Sequence, residues 1–362
     1  MVSSLPHTMQ GVQLTGHGGL DTLVYRQDLA LPTLGAGEVL IQVAAAAINN
    51  TDINTRIGWY SKSISGQTND GGQQGFDQLD DEDASWSGEP LHFPRIQGAD
   101  CCGHIVAVGD GVDAGRIGER VLVRPMHESP MAGPSGFITF GSECDGAFAQ
   151  YAKVASSEAF AVQSSLTDAE LASFPCAYST AENMVDRAGV GPGDRVLITG
   201  ASGGVGSAAI QLAKRRGAVI YALSSASKAE ALKALGAEKV LDRQDDPMAV
   251  LGADSVDVIL DLVAGPSWGE WLNLLAPRGR YAVAGAVAGP LVELDVRTLY
   301  LKDLTFFGCT YQPRRVFENL VRYIENGEIA PLVAERFPLA EIRQAQEVFL
   351  AKGHVGKIVL IP

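Results

Sequence analysis

The stretch Arg195–Arg216, RVLITGASGGVGSAAIQLAKRR, decides how the rest of the chain is read. Val196, Leu197 and Ile198 form a short apolar run after the turn Gly191-Pro192-Gly193-Asp194, the pattern of a strand buried on both faces. The glycine cluster Gly200-Ala201-Ser202-Gly203-Gly204-Val205-Gly206 follows without a spacer. Beyond it, Val205, Ala208, Ala209, Leu212 and Ala213 recur at helical spacing and give one buried stripe. A strand, a glycine turn and a helix in direct succession predict a dinucleotide-binding turn. Gly203 lets the backbone approach a pyrophosphate, and Gly206 lets helix and strand pack closely. The free N–H groups and positive dipole end of the helix receive the phosphates.

Working outward, strands are expected at 195–199, 218–223, 239–241, 256–262, 280–284 and 304–309. Helices are expected at about 205–216, 228–235 and 267–275. This alternation predicts a doubly wound parallel sheet, an α/β cofactor domain over residues 158–312. Thr167 is a plausible N-cap for the Ala-rich helical stretch that leads into it. Residues 1–157 read instead as short strands and tight turns, a mainly β, barrel-like domain. The tail 313–362 carries two helices and a last strand, Lys357-Ile358-Val359-Leu360, and is expected to return to that first domain. Residues 61–95 break the pattern. They are rich in Gly, Gln, Ser and Asp, with an acidic run from Asp80 to Asp83, and read as a surface insertion. A solvated loop is the simpler expectation for them, a lid the alternative.

The bulk numbers exclude several classes. A formal net charge of −14 argues against nucleic acid or an anionic membrane as partner. No run is long and apolar enough to span a bilayer, and the N-terminus has no secretory pattern. Five scattered cysteines suggest no disulfide framework, so a cytoplasmic setting is expected. His7, His17, His92 and His127 are expected to be exposed, and His104 and His354 to be structural.

The second strand of a dinucleotide site ordinarily ends in an acid that holds the ribose hydroxyls. Here it ends in Ser224-Ser225, with Lys228 one turn on and Arg243 after the third strand. Hydroxyls and cations suit a 2′-phosphate, so NADPH is the expected cofactor.

With these residues in view, the chain resembles the medium-chain dehydrogenase/reductase superfamily, in its zinc-independent quinone-reductase and enoyl-reductase branch. The resemblance is carried by AAAINNTDINTRIGWY, IQGADCCGHIVAVGDGV, CAYSTAENMVDRAGVGPGDRVLITGASGGVG, RGRYAVAGAVAG and GKIVL. It implies a GroES-like catalytic domain split between the chain ends, and a homodimer formed through the last strand of the cofactor sheet. It implies Thr180 beneath the nicotinamide, with Val263, Gly285, Ala286 and Lys357 in segments that flank the cofactor. The three catalytic zinc-ligand positions of the metal-dependent relatives correspond to Asn49, Ala99 and Cys176, so no metal is expected. Tyr60 matches the active-site tyrosine of enoyl-thioester reductases and is the candidate proton donor. Asn49 and Thr51 are candidates to orient a carbonyl or ribose. Asp52 is expected to cap the following turn. The resulting expectation is an NADPH-dependent reductase of a quinone or α,β-unsaturated carbonyl as small-molecule substrate. A zinc-type alcohol dehydrogenase and a cofactor-binding protein without turnover are the alternatives.

Overall fold

The computed structural model describes residues 5–77, 79–129 and 136–362. Six parallel strands form the cofactor-domain sheet, in the order Lys239–Asp242, Val219–Ser224, Arg195–Ile198, Val256–Asp261, Leu275–Val283, Thr305–Gly308. The strand order reverses between Arg195–Ile198 and Val256–Asp261, and a doubly wound sheet opens its binding crevice at such a point. Val196 and Ile198 pack on one face with Ala208, Ala209 and Leu212 of the Gly204–Arg215 helix. Leu197 packs on the other face with Ile259, Leu272 and Leu275. Both faces of the strand are thus covered, as its unbroken apolar run requires.

The Ala-rich stretch divides into two helices. Asp168–Leu171 starts on a capping box in which the Thr167 hydroxyl accepts from the Glu170 N–H. A second helix, Pro175–Arg187, begins with proline at its first turn, where the missing N–H costs nothing.

The other domain is built on a seven-stranded sheet whose long strand, Glu38–Ala47, pairs with Cys102–Val108, Tyr151–Ala155 and the last strand, Lys357–Ile361. The two chain ends therefore meet in one sheet. Cys101 and Cys102 point into different cores, as adjacent residues of an extended chain must. All five cysteines are free. No helix among the described residues is long and apolar enough to cross a membrane.

Three expectations need correction. His127 lies on the short Met126–Glu128 strand and is 6% exposed, and burial pushes its pKa down to about 4. His17 is half-buried, with Nδ1 2.8 Å from the Thr55 carbonyl. The segment 61–95 is not a solvated loop. Thr68, Gly71, Ala84 and Ser85 are buried. The Thr68 hydroxyl donates to Asn54 and its N–H to the Val287 carbonyl. The side chain of Arg56, 0% exposed, donates to the carbonyls of Gly18 and Gly72 and to Gln346, so the segment is tied to a guanidinium inside the fold.

Candidate active site

A cleft of about 720 Å³ opens between the two domains at the reversal of strand order. The glycine turn forms one wall. Gly200 adopts φ +57°, which a side chain tolerates poorly. A Cβ on Gly206 would stand 2.4 Å from the Gly200 carbonyl oxygen, so only glycine lets the helix approach the turn this closely. Ser202, Gly203, Gly204, Val205 and Gly206 line the cleft, and Ala201 lies buried behind them. The N-terminus of the Gly204–Arg215 helix thereby faces the cleft with its unpaired N–H groups, an anion-receiving arrangement.

Buried Asp261, at the end of its strand, organises the facing loop. Its carboxylate accepts from the Thr199 hydroxyl at 2.5 Å, from Val263 N–H at 2.9 Å and from the Tyr281 hydroxyl. Val263 is held against the cleft in this way, and Gly285 and Ala286 line it from the next strand's end. A Cβ on Gly285 would lie 2.9 Å from the Leu262 carbonyl.

At the end of the second strand, Ser224 is buried and Ser225 half-buried, and both line the cleft with Lys228 and Arg243. Lys228 Nζ donates to the carbonyls of Lys352 and His354, at 2.7 and 2.9 Å, and lies 3.3 Å from the Ser202 hydroxyl. It thus bridges the cofactor domain to the returning tail. Lys352 joins it, with its Nζ 4.1 Å from the centre of the Phe349 ring. Burial, then the charge of Lys228, pushes the Lys352 pKa down to about 8. Burial, then Arg243, lowers Lys228 in the same direction. None of these three cations makes an ion pair among the described residues. Among the described residues no aspartate or glutamate lines the cleft. The nearest carboxylate in the chain's own turn is Asp242, paired in register with Ser224, and it is engaged by the N–H groups of Ala226 and Gln244.

Buried polar atoms add to this fit. His354 Nδ1 and Gln312 Oε1 have no hydrogen-bond partner among the described residues, and both residues line the cleft. Gln312 Nε2 is 3.3 Å from the Thr180 hydroxyl, which itself donates to the Cys176 carbonyl at 2.8 Å. Gln312 and Lys352 were not singled out by sequence reasoning, and His354, expected to be a structural histidine, instead lines the cleft with its Nδ1 unpaired among the described residues. No local motif marks them, and tertiary folding alone brings them to a turn more than a hundred residues earlier.

The catalytic-domain wall starts at the Asn50–Ile57 helix. Asp52, 2% exposed, accepts from the Asn49 N–H at 2.7 Å and caps it, while burial raises its pKa to about 7. The helix stops at Gly58, with φ +70°, which turns Trp59 and Tyr60 into the cleft. The Tyr60 hydroxyl donates to Thr51 Oγ1 at 3.0 Å, and burial pushes its pKa up to about 12. Its ring stacks on Trp86 at 6.1 Å and 10°.

Asn49 sits deeper. Its amide hydrogens go to the Ala47 carbonyl and to Asp100, at 3.2 and 2.7 Å, and its oxygen accepts from Lys357. With both hydrogens engaged, it has no donor left for a substrate carbonyl. Only the second lone pair of its oxygen can meet a ribose hydroxyl. Lys357, with 3% of its side chain exposed, also donates to the Ile48 carbonyl and pairs with Asp100 at 2.9 Å. Its stem packs on the glycine turn, 2.8 Å from where a Cβ of Gly204 would stand. Asp100 completes the set by accepting from the Cys176 N–H at 2.6 Å, at the start of a cofactor-domain helix. The Asp100 carboxylate of this locus is thus taken up by Lys357, the Asn49 amide and the Cys176 N–H, and burial keeps the Cys176 thiol protonated by pushing its pKa up. Such a donor set does not suit a divalent cation.

Similarity to known proteins agrees with this architecture. Residues 35–164 match the alcohol dehydrogenase GroES-like domain, and residues 204–326 match the zinc-binding dehydrogenase family. A solved structure from Sinorhizobium meliloti 1021, assigned as an alcohol dehydrogenase, is 45% identical over 99% of this chain and 98% of its own, with a TM-score of 0.88. Human quinone oxidoreductase is 27% identical over 98% of both chains. Tomato (Solanum lycopersicum) 2-methylene-furan-3-one reductase is 28% identical over 99% of this chain and 80% of its own. Acryloyl-coenzyme A reductase of Metallosphaera sedula is 27% identical over 91% and 93%. On the sheet order, the glycine turn and these matches together, the chain belongs to the medium-chain dehydrogenase/reductase superfamily of oxidoreductases.

Proposed function

We propose that the protein is an NADPH-dependent, zinc-independent reductase of quinones or α,β-unsaturated carbonyls. The observation that carries this reading is the charge of the cleft. In a chain of net charge −14, the cleft is lined by Lys228, Arg243, Lys352 and Lys357 and, among the described residues, by no carboxylate. Lys357 is paired with Asp100, but half-buried Lys228 and Lys352 and exposed Arg243 are like charges without a carboxylate partner among the described residues, and a polyanionic ligand relieves their repulsion. These three surround the end of the second strand, where a 2′-phosphate would lie and where an NADH site ordinarily keeps an acid.

The glycine turn and helix N-terminus would hold the pyrophosphate. Ser224, Ser225, Lys228 and Lys352 would hold the ribose phosphate. Val263, Gly285, Ala286, Thr180 and Gln312 would bound the nicotinamide. When bound, NADPH supplies a hydride, and reduction of a C=C or quinone also needs one proton. Tyr60 is the donor this chain offers. A pKa of about 12 keeps the phenol protonated at neutral pH, and Thr51 orients it. Asp100 and Lys357 fix Asn49 and the start of the Pro175–Arg187 helix, which carries Thr180.

The assembly reading is a homodimer through the edge of the cofactor sheet. Thr305–Gly308 is an edge strand, and Leu291, Val296, Tyr300 and Leu301 nearby are 59–75% exposed. The function is tested with a panel of quinones, enones and primary alcohols, each with NADPH or NADP⁺ and with NADH or NAD⁺. NADPH oxidation by enones or quinones supports it. Metal-dependent alcohol oxidation, or binding without turnover, refutes it.

A further inference from the structure

The charges of the cleft are distributed unevenly along it. Its cations cluster at the end of the second strand and beneath the glycine turn. Trp59, Tyr60, Gln67, Asn69 and Trp86, all uncharged, line the rest of the wall with Asn54, which bonds the Asn50 side chain that Lys352 reaches at 3.5 Å. Tyr60 and Trp86 stack nearly parallel and Trp59 stands edge-on to Tyr60, so three aromatic side chains wall this part of the cleft. Beyond them a smaller recess of about 390 Å³ opens outward, lined by Lys62, Asp83, Ser85, Ser87 and Gly88 besides Tyr60 and Trp86. Its one cation lies beside a carboxylate, since the Lys62 N–H donates to Asp83 at 3.0 Å. Hydrogen bonds from Ser61 and that N–H hold Asp83 below the usual carboxylate range, so it is ionised. The segment that builds this mouth, residues 61–95, has seven acidic residues against two basic ones.

On the reductase reading above, we infer that the substrate is a free, uncharged, planar enone or quinone, and that thioesters of coenzyme A are disfavoured at the mouth of the cleft. A coenzyme A thioester whose acyl group sat beside Tyr60 would trail its phosphates outward. Phosphates are ordinarily received by arginine, lysine or a helix N-terminus. On this side they meet instead an acidic segment, within one Debye length of about 8–10 Å for groups at the recess. A neutral planar substrate meets no such field, and the aromatic wall suits its conjugated plane.

The test measures kcat/KM at saturating NADPH for pent-3-en-2-one, 1,4-benzoquinone, crotonyl-N-acetylcysteamine and crotonyl-coenzyme A. The two thioesters share the reacting group and differ in the charged arm. At low ionic strength the coenzyme A thioester should fall at least about tenfold below the better uncharged substrate. The gap should narrow as salt rises. The double variant Glu82→Lys/Glu89→Lys, at exposed positions, should recover coenzyme A thioester reduction several-fold and leave the enone rate unchanged. Coenzyme A thioester reduction equal to or above that of all uncharged substrates overturns the inference and leaves the reductase reading standing. So does a gap that neither salt nor the charge reversal moves. No turnover of any of the four overturns the reductase reading, and the inference with it.

Discussion

Lys352 offers the most direct test of the cofactor reading, because its charge depends on pH in a convenient range. Its ammonium is pushed down to about 8 by burial and by Lys228. The lysine is charged below that pH and neutral above it, and a 2′-phosphate binds the charged form. Binding of NADPH should therefore be strong on the acid side of 8 and weaken as pH rises through it. About nine-tenths of the lysine is charged at pH 7 and about one-tenth at pH 9, so the apparent Kd for NADPH should rise roughly tenfold between them. His354, the nearest imidazole, is pushed down to about 4 and stays neutral throughout. The phosphate itself takes up a proton only near pH 6, so the titration above 7 belongs to the protein. The assay is fluorescence titration of NADPH and of NADH at half-unit steps from pH 6.5 to about 9.5 at constant ionic strength. NADH should change little. Lys352→Met should weaken NADPH at pH 7 by about ten- to a hundredfold, the worth of one charge-assisted hydrogen bond, and flatten the pH curve. Parallel curves for the two cofactors, or an NADPH curve flat across pH 8, would refute the assignment of Lys352 to the phosphate.

Three further outcomes are expected. Lys228→Ala should raise the Kd for NADPH about ten- to a hundredfold while NADH affinity changes little, and an equal loss for both would assign Lys228 to holding the tail alone. Tyr60→Phe should lower kcat/KM for an enone or quinone by about 10²–10⁴-fold with NADPH affinity retained, whereas full activity would make water the proton source. Elemental analysis of the purified protein should find no stoichiometric zinc, and chelators should leave activity intact, because Asn49 and Ala99 stand at two of the three ligand positions and the Lys357 ammonium is bonded to Asn49 and Asp100.

How far the sequence could be read depended on whether the signal was local. The glycine turn declared itself in seven consecutive residues, and the steric demand at Gly206 is met within the same turn. The alternation of strands and helices was equally local. The parallel sheet followed from it, with boundaries shifted by a residue or two and with the Leu275–Val283 strand starting earlier than its apolar run suggested. The returning strand Lys357–Ile361 was visible as an apolar run, but its partners were not. It lies between Val333–Pro338, close by in the chain, and Glu38–Ala47, some three hundred residues away. The site divides in the same way. Ser224, Ser225 and Lys228 follow one strand and could be placed by counting from it. Lys352 and His354 reach the same spot from the tail, and Trp86 reaches Tyr60 from a segment whose composition suggested solvent. Asn49 was visible as a polar residue in the right motif, but its full engagement with Lys357 and Asp100 depends on the assembled domain.

The guanidinium of Arg56 limits how this protein can be altered. It is enclosed on all sides, and among the described residues no carboxylate pairs with it. Its partners are carbonyl oxygens of Gly18 and Gly72 and the amide of Gln346. One of those three attachments lies in the segment that looked most dispensable. Excising residues 61–95 to make a minimal enzyme would leave a buried positive charge with one of its three acceptors missing, a loss of about 1.5–3 kcal/mol, the usual worth of a hydrogen bond to a charged group. The segment is therefore a permanent part of the scaffold rather than a removable module. Variation in what the cleft accepts is open to substitutions along this segment, at positions such as Gln67, Asn69 and Trp86, and closed to changes in its length near Gly72.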